Sequence, residues 1–392
     1  MKILHVAHFF YPCLSAGGVV NASYQIASKQ AESNEVKVIS SDSCKERLKF
    51  PNGRYGIDVN GIKVDYFKNL SNKFKLATML DTPLSAPFRI REDIKNYDIV
   101  HIHEHRQTLA IIATYFARKN NIPYIVQAHG SVLPFFQKES LKNLFDKLFG
   151  FRILHNASCL LAQTEVEKEQ YLKMGVDEEK IEIVPMGINL EEFENLPEYG
   201  RFRNKFNIDD DEKLILFVGR IHEIKGLDLL IDAFHDLILN NDNVPIKLAI
   251  VGPDDGYLSR LREKIREYSI EDKVIIPGPL YAEEKQEALV DCDLFVMPSK
   301  YESFSISCLE AMACGKPLVL TKNLHIHDLV DGIVGIACED NKNSFSESME
   351  KILFDEDLAK IYGKNGKDLI KNKYNWDMIN KEILDIYKKF LK

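Results

Sequence analysis

Two carboxylates, Glu302 and Glu310, lie close together in the stretch Ser299 to Pro317, which reads Ser-Lys-Tyr-Glu-Ser-Phe-Ser-Ile-Ser-Cys-Leu-Glu-Ala-Met-Ala-Cys-Gly-Lys-Pro. A helix start offers free N–H groups and about half a positive charge, which suits a diphosphate. Ser303, Ser305 and Ser307 are small enough to let such a backbone approach an anion, with Phe304 and Ile306 between them. Glu310, a turn inside, could accept hydrogen bonds from ribose hydroxyls, and Glu302 could contact what is attached beyond the phosphates. The plainer alternative is a capping box, Ser307 with Glu310, and a solvated Glu302. Two cations add to the chemistry. Arg220 and Lys225 stand in Gly219-Arg-Ile-His-Glu-Ile-Lys-Gly226, and together they could neutralise a diphosphate, Arg by a bidentate fork and Lys as a point charge.

These residues need elements to hold them. Residues 294–297 and 317–321 are short apolar runs of the kind expected for buried parallel strands, and 306–314 between them is rich in helix formers and ends at Gly315. The stretch is therefore strand, loop, helix, strand, with Glu302 at the carboxyl end of a strand, where ligands of open α/β sheets bind. Residues 213–218 form another such strand, with Arg220 and Lys225 in the loop that follows. Further strands are expected at 247–252 and 274–278, and a helix at 283–290. Asp291-Cys292-Asp293 precedes a strand, the wrong end for a ligand, so it reads as structural.

The front of the chain has the same alternation. A strand over 2–7 leads through Gly17-Gly18 to a helix over 19–30, and the glycine pair would let backbone come close to a ligand. Without a G-x-G-x-x-G there is no dinucleotide fingerprint, and a tight turn explains the pair equally. Strands follow at 35–40, 62–67 and 98–103, then one over 122–128 that ends in His129-Gly130. His101, His103 and His105 alternate, so as a strand they would share one face, a spacing able to bind zinc. With no further ligand of fixed position, the expectation is no metal. His103, Glu104 and His105 become acceptor-side candidates at a strand end. A helix over 138–156 carries Leu141, Leu144, Phe145 and Leu148 on one stripe, with Lys138, Lys142, Lys147 and Arg152 around it and Phe135-Phe136 ahead of it. Such a helix can lie on an anionic membrane or simply cover its own sheet. Lys142, Lys147 and Arg152 are the membrane-contact candidates.

The chain has 392 residues, enough for two or three domains, and its 45% hydrophobic and 28% charged content is that of an ordinary globular protein. The net charge of −8 is uneven: residues 1–160 hold 21 Lys and Arg against 13 Asp and Glu, and the remainder 30 against 46. A basic front half suggests an anionic surface or substrate. Nothing resembles a nucleic-acid-binding module. His5 and His8 interrupt the first apolar stretch, which makes it a poor signal peptide, and no run approaches the roughly 18 apolar residues of a membrane span. Seven cysteines without a Cys-x-x-Cys pair suggest no disulfide framework or zinc site. A cytoplasmic location fits these features, with possible peripheral contact at the inner face of the membrane.

The run Met297-Pro-Ser-x-x-Glu302-x-Phe304-x-x-x-x-Leu309-Glu310-Ala-Met-Ala-x-Gly315-x-Pro317 resembles the signature of the family-4 retaining glycosyltransferases. The family usually has Gly where Ser303 and Ser305 stand. Gly219-Arg220 with Lys225-Gly226 resembles the family's diphosphate clamp, His129-Gly130 its His-Gly step, and Met186-Gly187-Ile188-Asn189 takes the place of a common turn. The resemblance covers nearly the whole chain in the family's order. It implies an α/β fold of two facing Rossmann-like domains (GT-B) with an interdomain cleft, and a C-terminal helix that crosses back to the first domain. The domains would be 1–195 with about 376–392 on the acceptor side, and 200–375 for the nucleotide sugar, joined by the polar 191–211 stretch. It implies sugar transfer, with retention, from a nucleotide-diphosphate sugar to a hydroxyl of a glycan or lipid-linked acceptor, without a metal cofactor. Glu302, Arg220, Lys225 and His129 would be catalytic. Gly17, Gly18, Gly219, Ser303, Phe304, Ser305, Ile306 and Glu310 would bind the donor. Two other readings remain: a sugar-nucleotide epimerase of similar fold, and a non-catalytic nucleotide-sugar-binding protein.

Overall fold

The structure, a computed structural model, describes residues 1–13, 17–44, 47–50, 53–70, 80–134 and 138–391. The chain forms two compact units, Met1–Met186 with Trp376–Lys392, and Gly187–Asn375. Phe135-Phe136 lies outside the described residues.

The first unit contains β1 (Lys2–Ala7), β2 (Glu35–Ser41), β3 (Ile57–Val59), β4 (Ile62–Phe67), β5 (Ile99–His103), β6 (Tyr124–Gln127), β7 (Cys159–Ala162) and β8 (Ile181–Ile183). Among the described residues they pair in the order β3-β4-β2-β1-β5-β6-β7-β8. Every neighbour is parallel except β3 on β4. The central strands are buried on both faces, which is why they read as continuous apolar runs. The helix Thr108–Lys119 buries Leu109, Ala110, Ala113 and Ala117. The helix Trp376–Lys388 buries Trp376, Ile379, Ile383, Ile386 and Tyr387, a helical stripe, and packs on the helix Gly18–Ala31. The chain builds outward from β1 to β2 and β4, then returns to the other side of β1 as β5. The loops after β1 and β5 therefore part company, the place where ligand crevices form in such sheets.

The second unit contains β9 (Lys213–Val218), β10 (Ile246–Val251), β11 (Val274–Gly278), β12 (Leu294–Met297), β13 (Leu318–Thr321) and β14 (Gly335–Cys338), ordered β11-β10-β9-β12-β13-β14. All are parallel. Its switch point lies between β9 and β12, so the loops that carry Lys225 and Glu302 leave the sheet side by side.

Several expectations need correction. The 138–156 helix is not continuous: it runs Glu139–Phe145, a π-helical segment Asp146–Gly150, then Phe151–His155. Asp146 is buried there against the Arg106 guanidinium at 2.9 and 2.6 Å. Phe145 is buried while Leu141, Leu144 and Leu148 are exposed. The 191–211 stretch is structured, with short helices Leu190–Phe193 and Arg201–Phe206. Its anchor is Arg203, fully buried, whose guanidinium donates to the Asp291, Asp209 and Glu212 carbonyls at 3.1, 2.9 and 2.9 Å and to the Asp293 carboxylate at 2.9 Å. The Asp291 carboxylate accepts the Gly200 and Arg203 backbone N–H groups at 2.7 and 2.9 Å. Asp291 and Asp293 are thus structural. Cys13 and Cys44, 31 residues apart, form a disulfide. Their pairing was invisible in spacing alone because it follows from the adjacency of β1 and β2, whose outgoing loops meet. The other five cysteines are free and buried.

Candidate active site

In the second unit the loop after β9 turns through a short 3-10 helix, Glu223–Lys225, and ends at Gly226 in the left-handed region. A β-carbon on Gly226 would sit 2.0 Å from the Pro298 carbonyl oxygen, so only glycine lets this loop lie on the end of β12. The Lys300 N–H donates to the Ile224 carbonyl at 2.8 Å and joins the two loops, while the His325 N–H, from the loop after β13, donates to the Glu302 carbonyl at 2.9 Å. The Thr321 hydroxyl donates to the Ser299 carbonyl at 2.6 Å. The outcome is a direct ion pair between the Lys225 ammonium and the Glu302 carboxylate, with both side chains mostly buried.

Arg220 does not join that pair. Its guanidinium turns onto the Asp255 carboxylate at 2.5 Å, and both groups are more than 45% exposed (59% and 47%), so the pair is weak and free to exchange. Gly219 donates its N–H to Val251 at 2.9 Å and holds the strand end rather than lying open. The helix after β12 is Ile306–Ala313, and its N-cap is Ser305, not Ser307. The Ser305 hydroxyl accepts the Cys308 N–H at 3.4 Å and pairs with the Ser307 hydroxyl at 3.1 Å. Glu310 therefore lies outside any capping box. Its carboxylate accepts from Lys285 at 2.6 Å, and burial raises its pKa against the pull of that ammonium. Ser303 is half-buried and Phe304 buried. Lys285 was missed in the sequence, where it is one lysine of a polar helix.

In the first unit Gly17, with φ of 87°, is the N-cap of the helix that begins at Gly18, and both glycines are exposed. At the end of β5, Glu104 takes a left-handed φ of 64°. That twist ends the strand alternation, so His105 leaves the face of His101 and His103 and lies 3.5 Å from the Asp146 carboxylate. Burial pushes the Glu104 carboxyl up to about 7, against the attraction of Arg106 and Lys142. Lys142 is half-buried and its pKa is lowered mainly by that burial, while Lys147 and Arg152 are exposed.

His129 is buried, with φ of 52°, and both of its ring nitrogens are engaged. Nδ1 faces the Gln163 amide nitrogen at 3.1 Å, and Nε2 faces His103 Nδ1 at 3.0 Å. The series continues from His103 Nε2 to His5 Nδ1 at 2.9 Å, and from His5 Nε2 to the Gln30 amide oxygen at 2.9 Å. The Gln30 amide nitrogen donates to the Tyr387 hydroxyl at 3.4 Å, which lies 2.5 Å from His101 Nδ1. His5 stands opposite His101 in the β1–β5 register. His5, His101 and His103 bring nitrogens within 4.8 Å of one another, a donor set that zinc accepts. The facing nitrogens of His5 and His103, however, are already joined by a hydrogen bond. Desolvation holds all four rings neutral: His5 is lowered to about 4, His129 to about 3, and His101 and His103 lie well below their ordinary value. Of this assembly, His5, Gln30, Gln163 and Tyr387 were not found from sequence. His5 had one signal, a polar residue that breaks the first apolar strand.

Residues 16–192 match the model of "Glycosyltransferase Family 4" and residues 199–369 that of "Glycosyl transferases group 1". The chain is 27% identical over 309 residues to the uncharacterized glycosyltransferase MJ1607 of Methanocaldococcus jannaschii, covering 75% of this chain and 76% of that one. It is 24% identical over 390 residues to one component of the human phosphatidylinositol N-acetylglucosaminyltransferase, covering 98% and 75%. Among solved structures it resembles Anabaena Alr3699/HepE in complex with UDP-glucose, at a TM-score of 0.76, 18% identity, and coverage of 99% and 100%.

Proposed function

This chain belongs to the group 1, family-4 glycosyltransferases of GT-B fold, and on that premise we propose that it moves a sugar, with retention of anomeric configuration, from a nucleotide-diphosphate sugar to a hydroxyl of a lipid-linked glycan. The barrier in such a reaction is cleavage of the anomeric C–O bond while negative charge gathers on the leaving diphosphate. Lys225, Arg220 once it exchanges Asp255 for phosphate, and the helix start at Ser305 supply positive potential in place of a divalent ion. Such groups act when they bind the leaving group more strongly in the transition state than in the bound donor. Glu302 orients the sugar, and Glu310 accepts from ribose hydroxyls after releasing Lys285. His129 and Gly17-Gly18 belong to the sugar and phosphate side of the first unit, and His103, Glu104 and His105 to the acceptor side.

The observation that carries the reading is the Lys225–Glu302 pair, held where the loops after the neighbouring strands β9 and β12 leave the sheet side by side. A structural neighbour that holds UDP-glucose supports a nucleotide-sugar donor. A relative whose name contains phosphatidylinositol supports a lipid acceptor. The membrane reading is supported by exposed Leu141, Leu144, Leu148, Lys147 and Arg152, of which Leu148 and Arg152 line an apolar hollow of about 420 Å³ together with Ile111, Ile112 and Phe116. Incubating the protein with each nucleotide sugar, with and without a lipid-linked glycan, tests the function. Acceptor-dependent release of free nucleotide, in the presence of EDTA, and an unchanged anomeric configuration by NMR are expected. An isomerised donor would point instead to an epimerase, and no change with any donor to a binding protein.

A further inference from the structure

We propose that Gln163 and Glu167 are positioning residues for His129-Gly130, and that they do so by imposing a single proton order on a ladder of three imidazoles. The proposal rests on the reading that His129-Gly130 serves the transfer reaction.

The proton order follows from counting. Each nitrogen-to-nitrogen contact in the ladder needs one hydrogen, and each ring, being neutral, carries one. The Gln163 amide nitrogen can only donate, so His129 Nδ1 accepts and its hydrogen sits on Nε2. That hydrogen points to His103 Nδ1, whose ring then carries its own on Nε2, directed at His5 Nδ1. His5 Nε2–H meets the Gln30 amide oxygen, which can only accept. The two ends, on different elements, thus demand the same direction. A zinc ion among these rings would have to displace the His5–His103 hydrogen bond.

Glu167 fastens the donating end. It is buried (1% exposed), and one carboxylate oxygen accepts the Gly130 N–H at 2.6 Å while the other accepts the Gln163 N–H at 2.6 Å. One carboxylate therefore fixes the backbone on both sides of the His129–Gln163 contact. The Tyr171 hydroxyl accepts the Ala128 N–H at 3.0 Å and completes the cradle. A buried carboxylate and four polar rings are a costly way to fill space that aliphatic side chains would fill, and His129 holds a strained left-handed φ of 52°. The consequence is specific. With both nitrogens spent, the His129 ring is a post and not a proton-transfer group, and what it presents is the backbone of the His129-Gly130 turn.

The test begins with the unaltered protein carrying 15N-labelled histidine. Long-range 1H–15N spectra, assigned by removing histidines one at a time, should show His5, His103 and His129 with hydrogen on Nε2 and bare Nδ1. Hydrogen on Nδ1 of His129, or zinc at one equivalent per chain, would overturn the ladder. Gln163→Glu replaces the donor by an acceptor and should place a hydrogen on His129 Nδ1; no change there would also overturn it. For the positioning role, Gln163→Glu and Glu167→Gln should each lower kcat by about a hundredfold, the cost of a misplaced group, with donor KM within about twofold and donor-induced thermal shifts retained. Wild-type kcat in either variant would refute that role. If the tautomers are as stated but no donor turns over in the wild type, the transfer reading fails while the ladder stands.

Discussion

Four neutral imidazoles inside the first unit make its stability depend on acid. Desolvation holds His5 and His129 at about 4 and about 3, and His101 and His103 are also far below their ordinary value. In the unfolded chain each takes up a proton near pH 6.5 and in the folded unit it does not. The unfolded state therefore binds more protons, and stability falls as pH falls from about 7 toward those lowered values. Each ring costs about 2 kcal/mol between pH 8 and pH 5, or roughly 8 kcal/mol for four. Glu167 acts with the opposite sign. Its carboxyl is raised by burial to about 7, so the fold takes up that proton first, which offsets part of the loss on going to pH 5 and is lost again as pH rises through 7. Glu104, also raised to about 7, offsets a similar part. Buried His105, also lowered by desolvation, adds to the loss, and the balance is a net loss of a few kcal/mol in acid, a large part of the stability of an ordinary domain. The assay is unusually local. The single tryptophan, Trp376, is buried in this unit, so its fluorescence through urea unfolding at pH 8, 7, 6 and 5 reads this unit even if the other unfolds separately. His103→Asn should remove about one proton from the pH slope, about 1.4 kcal/mol per pH unit, whatever it does to stability at pH 8. A wild-type transition that is flat or strengthens in acid, or a slope unaltered by His103→Asn, refutes the reasoning.

Other perturbations test other parts of the chain. Arg203→Met leaves the Asp293 carboxylate and three carbonyls without their buried guanidinium and should cost about 3–5 kcal/mol, read by far-UV circular dichroism in urea; a cost below about 1 kcal/mol would contradict the anchoring role. Gly226→Ala puts a β-carbon into the Pro298 carbonyl at a φ of 66°, so the Lys225 loop must lift, and kcat should fall by about tenfold or more while the Trp376 transition stays put. Glu302→Gln should lower turnover by about 3 kcal/mol of barrier if its charge serves the transition state, measured as nucleotide release. Replacing Lys142, Lys147 and Arg152 together by Glu should release the protein from anionic liposomes in a flotation assay, at about 1 kcal/mol per charge; retention would remove the membrane reading.

The parts of the fold legible in the sequence are those whose cause is local. Strands buried on both faces must be apolar throughout, so 2–7, 213–218 and 294–297 announced themselves, and strand–loop–helix order implied parallel sheets with functional loops at one end. That Lys225 meets Glu302 follows from the same logic, because the chain reverses direction across the sheet at β9 and β12 and their loops must emerge together. The illegible parts depend on register between strands far apart in sequence. Nothing near His5 says that it will face His101 across β1 and β5, and nothing near Gln30 or Tyr387 says that they will close the far end of that row. The π segment at Asp146–Gly150 accompanies a buried Asp146–Arg106 contact 40 residues apart, which a helical wheel cannot anticipate, and Leu141 and Leu144, ahead of it, are exposed although the stripe reads as buried.

This division has a physical root that bears on how the first unit can vary. Apolar periodicity is redundant, since many residues can fill a strand, whereas a proton-ordered ladder is a chain of single obligations in which each ring's hydrogen is dictated by its neighbour. Replacing one member by an apolar residue leaves two buried nitrogens or an amide unpaired, at about 1–3 kcal/mol for each group, while replacing the whole row by aliphatic side chains escapes that penalty. Stability alone therefore would favour all three histidines of the ladder or none. Partial replacements that keep a donor at 163 and an acceptor at 30, such as His5→Gln, should then be tolerated better than equally small changes that reverse the direction at one end, because the former preserve the sense in which every hydrogen points. Comparing the Trp376 unfolding midpoints of His5→Gln and Gln163→Glu decides the matter. If His5→Gln is the more damaging of the two, ring packing and not proton order is what the row contributes.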